Sequence, residues 1–332
     1  MKVIVAGGAG YIGSHVVREL LRTKRYEIVI VDNLSTGHRE SVPTGVTLEV
    51  GDIRDRGFLE ATFAKYKPQV VFHLCAFISV GDSVKDPLSY YENNVSGTVT
   101  LLQAMVAHDV KYFVFSSTAA VFGYPENALV SEDDAKSPIN PYGDTKLVVE
   151  VLLKWVEQAH KIRYTCLRYF NACGADETGE IGEDHIDETH LIPLILQVPL
   201  GKREKVFIFG DDYKTADGTC IRDYVHVTDI ALAHINALEQ MAKTDTSDSY
   251  NLGSGKGYSV KEIVEAARHV TGHAIPAEVK QRRGGDPDSL VASSAKAEQV
   301  LGWKRKYVKI EDIVATAWKW HTSHPQGYRT PK

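Results

Sequence analysis

Tyr142 and Lys146 stand four residues apart in the segment Pro141-Tyr-Gly-Asp-Thr-Lys146. In a helix, this spacing places both side chains on one face. A free tyrosine has a pKa of about 10 and is a poor base at neutral pH, but a nearby ammonium group favours the phenolate. The pair therefore predicts a group that removes a proton from an alcohol. Taken alone, the same spacing also fits a solvated tyrosine and lysine on a helix surface. Evidence from other segments of the chain is therefore needed to distinguish a catalytic pair from a solvated one.

A glycine-rich turn lies between a predicted strand and a predicted helix at the N-terminus. The apolar run Lys2–Ala6 leads into Gly7, Gly10 and Gly13, and a helical pattern follows. Gly7 would allow the tight turn, Gly10 would let the backbone approach a pyrophosphate, and Gly13 would let helix and strand pack closely. Because free N–H groups at a helix start attract phosphates, this arrangement predicts a dinucleotide-binding site.

A carboxylate follows the second predicted strand, where dinucleotide-binding folds hold a ribose. The apolar run at residues 27–31 ends at Asp32. A carboxylate at this position accepts hydrogen bonds from ribose hydroxyls and repels a 2′-phosphate. We therefore predict NAD rather than NADP as the cofactor.

Composition and charge limit the class of protein. The chain has 332 residues, a net charge of −5 and no long basic run, which argues against nucleic acid or an anionic membrane as a partner. Four scattered cysteines without a CxxC motif predict free thiols and a cytoplasmic location. No apolar stretch approaches membrane-spanning length, and the first strand begins directly after Met1, which leaves no room for a signal peptide.

Predicted strands and helices alternate through the first half of the chain. This order favours an α/β fold with a doubly wound parallel Rossmann sheet. We predict an NAD-binding domain over residues 1–170, which the chain rejoins at about residues 222–242. Elements become shorter and loops longer from about residue 171, so residues 171–221 and 243–332 are predicted to form a smaller α+β substrate lobe. Ligands are expected beyond the carboxyl ends of the strands.

Hydroxyl side chains follow the predicted strand at residues 111–115. Ser116, Ser117 and Thr118 would lie across the cleft from Tyr142, where one hydroxyl could hydrogen-bond the same substrate oxygen. Serine and threonine also often end strands without any catalytic role. Combined with NAD, Tyr142 and Lys146, a hydroxyl at Thr118 predicts hydride transfer at a carbinol carbon.

Several longer segments match one enzyme family over essentially the full chain. They include GGAGYIGSH at 7–15, DNLSTG at 32–37, GDIRD at 51–55, YYENNVSGT at 90–98, PYGDTK at 141–146, LRYFNACGA at 167–175, DGTCIRDYVHV at 217–227, YNLGSG at 250–255 and RRGGDP at 282–287. The chain resembles the extended short-chain dehydrogenase/reductase family, in its UDP-hexose 4-epimerase branch. The resemblance implies inversion at C4 of UDP-glucose and UDP-galactose through a 4-keto sugar, with tightly bound NAD, in galactose metabolism.

The resemblance also implies roles for individual residues. Tyr142 is expected to be the catalytic base, Lys146 its partner and ribose anchor, and Thr118 the hydroxyl. The residues expected to hold NAD are Gly7, Gly10, Tyr11, Ile12, Gly13, Asp32, Asn33, Leu34, Ser35, Thr36, Gly37, Asp52, Ile53, Leu74, Cys75, Ala76, Phe77, Asn93, Tyr142, Lys146 and Phe170. Those expected to bind the UDP-sugar are Thr118, Tyr142, Asn171, His190, Arg222, Arg283, Asp286 and Leu290.

Four side chains differ from those of other branches of the family. Ile78 replaces a lysine on the NAD side, and Phe122 replaces a tyrosine. His190 replaces an asparagine beside the nucleotide and can still donate a hydrogen bond. Leu290 replaces a bulky tyrosine that is associated with excluding N-acetylated sugars. We therefore predict UDP-GlcNAc and UDP-GalNAc as further substrates.

An acidic, histidine-bearing segment lies at residues 183–190. It contains Glu183, Asp184, His185, Glu188 and His190. Such clusters are usually solvated, and no fixed ligand framework is visible in the sequence, so no metal site is predicted.

Two predicted helices, near residues 87–108 and 142–160, are apolar on more than one side. A helix with this pattern is buried on more than one side. Burial under the second lobe would explain it, but we favour a homodimer interface.

Other functions remain as alternatives. A sugar-nucleotide 4,6-dehydratase would need acidic residues directly after Thr118, where this chain has Ala119 and Ala120. Another NAD-dependent sugar-nucleotide dehydrogenase would release NADH in every cycle. A non-catalytic NAD-binding regulator would not need Tyr142, Lys146 and Thr118 together.

Overall fold

The computed structural model describes residues 1–127, 129–282 and 287–328. Within these residues the strands are β1 (Lys2–Ala6), β2 (Glu27–Asp32), β3 (Thr47–Val50), β4 (Val70–His73), β5 (Tyr112–Thr118), β6 (Arg163–Tyr169), β7 (Asn171–Cys173), β8 (Val206–Phe209), β9 (Ile221–Arg222), β10 (Tyr224–His226), β11 (Asp248–Leu252), β12 (Tyr258–Ser259), β13 (Ala277–Lys280) and β14 (Ser289–Leu290). The helices are α1 (Tyr11–Thr23), α2 (Arg56–Tyr66), α3 (Val80–Lys85), α4 (Pro87–Tyr90), α5 (Gly97–Ala107), α6 (Pro141–His160), α7 (Leu191–Leu196), α8 (Val227–Thr244), α9 (Val260–Thr271), α10 (Ala295–Leu301) and α11 (Ile310–Ser323).

Seven strands form one parallel sheet in the order β11-β6-β5-β4-β1-β2-β3. The central strands are buried at nearly every position, as expected for a parallel sheet covered on both faces. One face packs against α1, α8 and α10, and the other against α2, α5 and α6. The predicted doubly wound α/β fold is thus confirmed.

The structure changes three details of the predicted elements. β5 continues to Thr118, so the three hydroxyl residues lie within the strand, and Thr118 pairs with Tyr169 of β6. The helix predicted near residues 87–108 is divided into α4, a π turn at Tyr91–Ser96, and α5. Finally, β11 joins the sheet beside β6, although residues 248–252 were placed in the second lobe. The division into two domains stays a prediction, but residues 248–252 belong to the sheet of the NAD-binding domain rather than to the substrate lobe.

A separate apolar cluster lies outside the sheet. It is built from α7, α9 and α11, with Ile195, Ile263 and Val314 fully or almost fully buried. This cluster gives the C-terminal part of the chain a core of its own. In the described part of the chain, no helix is long and apolar enough to cross a membrane.

Candidate active site

The glycine turn between β1 and α1 has the geometry that a bound pyrophosphate needs. Gly7 has a φ of +82°, and a Cβ at Gly13 would lie 2.0 Å from the Gly7 carbonyl oxygen. At Gly10, by contrast, the nearest atom to a Cβ would be 3.4 Å away, and no side chain caps α1 there. The turn is therefore closed towards the protein at Gly7 and Gly13, whereas the start of α1 offers its N–H groups to a phosphate. These features fit NAD.

Asp32 is buried at the end of β2 and connects two loops. Its carboxylate oxygens accept hydrogen bonds from the backbone N–H groups of Ala9 (2.9 Å) and Leu34 (2.8 Å). Burial raises the pKa of Asp32, and these two hydrogen bonds oppose that rise. Gly37 packs so closely that a Cβ would lie 3.0 Å from both oxygens. Asp32 thus holds the 33–37 loop against the glycine turn, and its remaining lone pairs can still accept from a ribose.

Asp52 is engaged by neighbouring side chains. Arg54 donates to it through Nε (2.9 Å) and a terminal nitrogen (2.8 Å), and Asn33 donates through Nδ2 (2.9 Å). The Arg54 side chain, assisted by Asn33, holds the pKa of the Asp52 carboxyl well below its usual range. Ile53 is buried against Gly97, at the start of α5. Arg54 was not among the predicted site residues, although its position two residues after Asp52 was a usable signal.

The segment from Leu74 to Phe77, which follows β4, is held by Asn94. The Asn94 side chain accepts from the Phe77 N–H (2.9 Å) and donates to the Phe77 carbonyl (3.1 Å). It also donates to the Thr145 hydroxyl on α6 (3.1 Å), and Asn93 donates to it (3.0 Å). Both asparagines are buried in the π turn. Asn93 was predicted to contact the cofactor, but Asn94 was missed because its role depends on contacts distant in sequence.

Tyr142 is positioned by the first turn of α6. Asn140 caps this helix by accepting a hydrogen bond from the Gly143 N–H (2.9 Å), and Pro141 occupies the first turn. A Cβ at Gly143 would lie 2.6 Å from the Ala120 carbonyl oxygen. Glycine at this position therefore lets α6 approach the turn that follows Thr118. This contact brings the Tyr142 and Thr118 side chains together.

The protein environment of Tyr142 raises the pKa of its phenol. Burial raises the pKa of Tyr142 to about 12, and a hydrogen bond with the Thr118 hydroxyl acts in the opposite direction. The expectation that Lys146 would bring the phenol towards neutrality is therefore wrong for the amino-acid side chains alone. A further positive charge, such as the pyridinium of NAD⁺, would favour the phenolate.

Lys146 lies one helical turn after Tyr142, as predicted, and is buried. Its amine donates to the Ser116 carbonyl on β5 (2.9 Å) and lies 4.9 Å from the centre of the Phe115 ring. Burial lowers the pKa of Lys146 to about 8. An ammonium group has three donors, so two remain for a ligand. Thr118, Tyr142 and Lys146 thus lie on β5 and α6, on elements that face each other.

The residues predicted to bind the sugar nucleotide come from several segments. Phe170 and Leu290 pack with Phe122 in one apolar cluster, and Leu290 pairs with Arg222 between β14 and β9. Arg222 donates to the carbonyl groups of Ile221 (2.8 Å) and Pro287 (2.9 Å). Asn171 donates from Nδ2 to the Asp223 carbonyl (2.8 Å). Arg283 and Asp286 lie outside the described residues.

Two carboxylates of the acidic, histidine-bearing loop are packed rather than solvated. The side chains of Glu183 and Glu188 are only 4% and 8% exposed, and both pair with His185 and His190. Burial alone would lower the pKa of His190, but the carboxylates of Glu183 and Glu188 outweigh it and raise the pKa to about 9. The expectation of a solvated cluster is therefore wrong for these two carboxylates, whereas the His190 side chain is 45% exposed.

The family model described as "NAD dependent epimerase/dehydratase family" matches residues 3–253. The chain belongs to this family. A curated relative, "UDP-glucose 4-epimerase" from Halalkalibacterium halodurans, is 54% identical over 99% of this chain and 98% of its own. This similarity extends beyond residue 253, where the match to the family model ends. The epimerase branch suggested by the sequence is thus confirmed, and with it an NAD-dependent isomerase.

Solved structures of family members agree with this membership. A crystal structure of UDP-glucose 4-epimerase has a TM-score of 0.97 and is 50% identical, covering 99% of this chain and 100% of that one. The enzyme from Bifidobacterium longum, solved in complex with NAD⁺ and UDP, has a TM-score of 0.92 at 38% identity and covers 98% and 100%. The prediction of NAD as the cofactor is confirmed, whereas the individual site residues remain predictions.

Proposed function

We propose that the chain interconverts UDP-glucose and UDP-galactose by inverting C4 of the hexose, as part of galactose metabolism. The observation that carries this proposal is the buried group of Thr118, Tyr142 and Lys146 beside a glycine turn that fits NAD. The names and titles of the relatives, which include UDP-glucose 4-epimerases and a complex with NAD⁺ and UDP, support the choice of substrate.

Tyr142 would accept the proton of the C4 hydroxyl and later return it. Thr118, which already interacts with Tyr142, would hold the same hydroxyl oxygen in line. Lys146, fixed by the Ser116 carbonyl, would hold a ribose of the cofactor with its remaining donors. The glycine turn, Asp32 and the 74–77 segment would hold NAD, which supplies oxidation and re-reduction at C4.

Inversion requires that the hexose presents its opposite face before C4 is reduced again. The nucleotide must therefore be held more firmly than the sugar. Arg222 has a guanidinium suited to a diphosphate, and Asn171 lies beside it, on strand β7 next to Asp223. Arg222, Asn171 and His190, together with Arg283 and Asp286, are proposed to hold UDP while the hexose turns.

The decisive experiment uses the purified full-length protein without added NAD. UDP-galactose is supplied, UDP-glucose is measured by chromatography, and the absorbance of NADH is followed in the same sample. An epimerase with bound NAD gives continuing UDP-glucose formation and no accumulation of NADH. Accumulating NADH would instead favour a dehydrogenase, and absence of both products with NAD still bound would favour a regulator.

We also propose that N-acetylated UDP-hexoses are substrates. Leu290 packs against the cluster that contains Phe170 and Phe122, and its side chain is smaller than a tyrosine. Turnover of UDP-GlcNAc should therefore be measurable, and Leu290→Tyr should reduce it more than it reduces turnover of UDP-glucose. Equal losses for both substrates, or no turnover of UDP-GlcNAc by the unaltered protein, would contradict this proposal.

We propose that two copies of the chain form a homodimer through α5 and α6. Trp155 and Val151 on α6 are 64% and 46% exposed. Beside them, an apolar cavity of about 410 Å³ is lined by residues that include Val99, Leu102, Val106, Leu152 and Val156. Trp155→Glu should shift the mass measured by light scattering to that of a monomer. Val308→Glu, at another exposed apolar position, is the matched control and should leave the mass unchanged.

A cytoplasmic location is proposed from the cysteines. The four cysteines of the chain are all free thiols, and Cys166, Cys173 and Cys220 are buried. Unpaired buried thiols are typical of proteins in a reducing compartment. Fractionation of the source cells should recover the protein with cytoplasmic markers, and recovery with an oxidising compartment would contradict this assignment.

A further inference from the structure

The loop at residues 183–190 brings two imidazoles and two carboxylates together in a region without helix or strand. One ligand atom from each of Glu183, His185, Glu188 and His190 lies within 4.8 Å of the other three. His185 Nδ1 is 3.4 Å from a Glu183 oxygen and 3.3 Å from a Glu188 oxygen, and His190 Nδ1 is 3.7 Å from Glu188. His190 also contacts Glu183 directly. We propose that these four side chains form a binding site for one divalent transition-metal ion, with Zn²⁺ as the best-matched metal.

Two separations between ligand atoms match those of a tetrahedral site. Ligands at about 2.1 Å from a zinc ion are about 3.4 Å from one another in a regular tetrahedron. The separations of His185 Nδ1 from Glu183 (3.4 Å) and from Glu188 (3.3 Å) are close to this value. A metal ion could therefore be bound once the His190 side chain moves away from Glu183, which it contacts directly. Two imidazoles with two carboxylates suit zinc and its neighbours better than Mg²⁺ or Ca²⁺, which prefer six or more oxygen ligands.

Contacts around the loop hold the ligands in place. One Glu188 oxygen accepts from the N–H groups of Thr189 (2.8 Å) and His190 (2.7 Å), which leaves the other oxygen directed to His185. Trp320 on α11 donates to the Glu183 carbonyl (3.1 Å). The His185 ring packs edge-on against Tyr11 at the start of α1, with the ring centres 6.4 Å apart. Such outer contacts orient ligands in metal sites.

The charges in the loop also suit a cation. Among the described residues, the ion pairs of Glu183 and Glu188 are all with histidines, and both carboxylates are almost buried. Two protons on the histidines or one divalent ion would each neutralise the two carboxylates. Protons and metal therefore compete for the same imidazole nitrogens, and metal binding should weaken in acid. Coordination through Nδ1 leaves Nε2–H of His190 free to donate to a nucleotide, as the sequence analysis predicts for that residue.

Metal binding is measured on the full-length protein after chelator treatment and removal of the chelator. Equilibrium dialysis with Zn²⁺ alone should give one bound ion per chain. His185→Gln and Glu188→Gln should each weaken binding by on the order of tenfold or more, because each removes one ligand. His108→Gln is the matched control and should leave binding unchanged, since His108 lies outside the loop and pairs with the carboxylate of Glu60. Mg²⁺ should not displace Zn²⁺.

A second measurement keeps the test valid if a variant folds poorly. Co²⁺ added to the unaltered protein should give the strong visible absorption of a tetrahedral complex, and Zn²⁺ should abolish it. Absence of stoichiometric Zn²⁺ binding by the unaltered protein would overturn the proposal, as would unchanged binding in both His185→Gln and Glu188→Gln. Either result leaves the epimerase proposal untouched, because neither His185 nor Glu188 is assigned to NAD or to the substrate.

Discussion

Two groups of candidate ligand-binding side chains are held in different ways: the backbone-fixed site of Thr118, Tyr142 and Lys146, and the loop at residues 183–190. Thr118, Tyr142 and Lys146 lie on β5 and α6, where backbone contacts such as that of Lys146 with the Ser116 carbonyl fix them. Glu183 and His190 lie in a loop without helix or strand, and their positions depend on side-chain pairing. A site built on regular elements can be read from local spacing, whereas a charge-paired loop depends on contacts that spacing does not show.

The largest effect, a loss of turnover, is expected from a substitution of Tyr142 in the backbone-fixed site. Tyr142→Phe removes the phenol that accepts the proton and leaves the buried ring in place. Turnover of UDP-galactose should fall by about 10²–10⁴-fold, the usual contribution of a general base. Bound NAD, measured after denaturing the protein, should remain at the level of the unaltered enzyme. Activity close to that of the unaltered enzyme would show that another group is the base.

Two alanine substitutions in the glycine turn should separate an effect on stability from an effect on NAD binding. Gly13→Ala places a Cβ 2.0 Å from the Gly7 carbonyl, so the loop must move, at a cost of about 1–3 kcal/mol in the free energy of unfolding. Gly10→Ala meets no atom closer than 3.4 Å, so the fold should be retained while NAD binding weakens. Thermal unfolding and NAD content measured on both variants check this contrast. Equal stability of the two variants would contradict it.

Features that depend on neighbours in sequence could be predicted, whereas features that depend on contacts distant in sequence could not. The glycine turn, Asp32 and the Tyr142 and Lys146 spacing could be predicted, because each depends on neighbours along one strand or helix. The extension of β5 to Thr118 was missed because hydroxyl residues read as a strand end, although pairing with β6 continues the strand. The rise in the pKa of Tyr142 could not be predicted either, because it results from burial by residues distant in sequence. The packing of Glu183 and Glu188 was missed for the same reason.

The buried Asn94 side chain connects the segment after β4 to α6 through its hydrogen bonds to Phe77 and Thr145. Asn94→Ala removes its hydrogen bonds to both backbone groups of Phe77 and to Thr145. The unsatisfied buried groups should lower the free energy of unfolding by about 1–3 kcal/mol and weaken the retention of NAD. Asn127→Ala, at an exposed position where the asparagine donates to the Asp134 side chain, is the control. Equal effects of the two substitutions on unfolding would show that Asn94 does not link the segments.

The smallest effect is expected in the pH dependence of turnover. The two sites differ here, because they shift the pKa values of their titrating groups in opposite directions. Burial lowers the pKa of Lys146 to about 8, whereas paired carboxylates outweigh burial and raise that of His190 to about 9. Lys146 is charged below pH 8 and becomes neutral as the pH rises through that value. If the charged amine supports turnover, the rate should fall above pH 8, to about one tenth at one pH unit higher. Lys146→Arg keeps its charge to much higher pH, so its profile should stay flat even if its rate is lower. A parallel decline in both profiles would assign the pH dependence to another group.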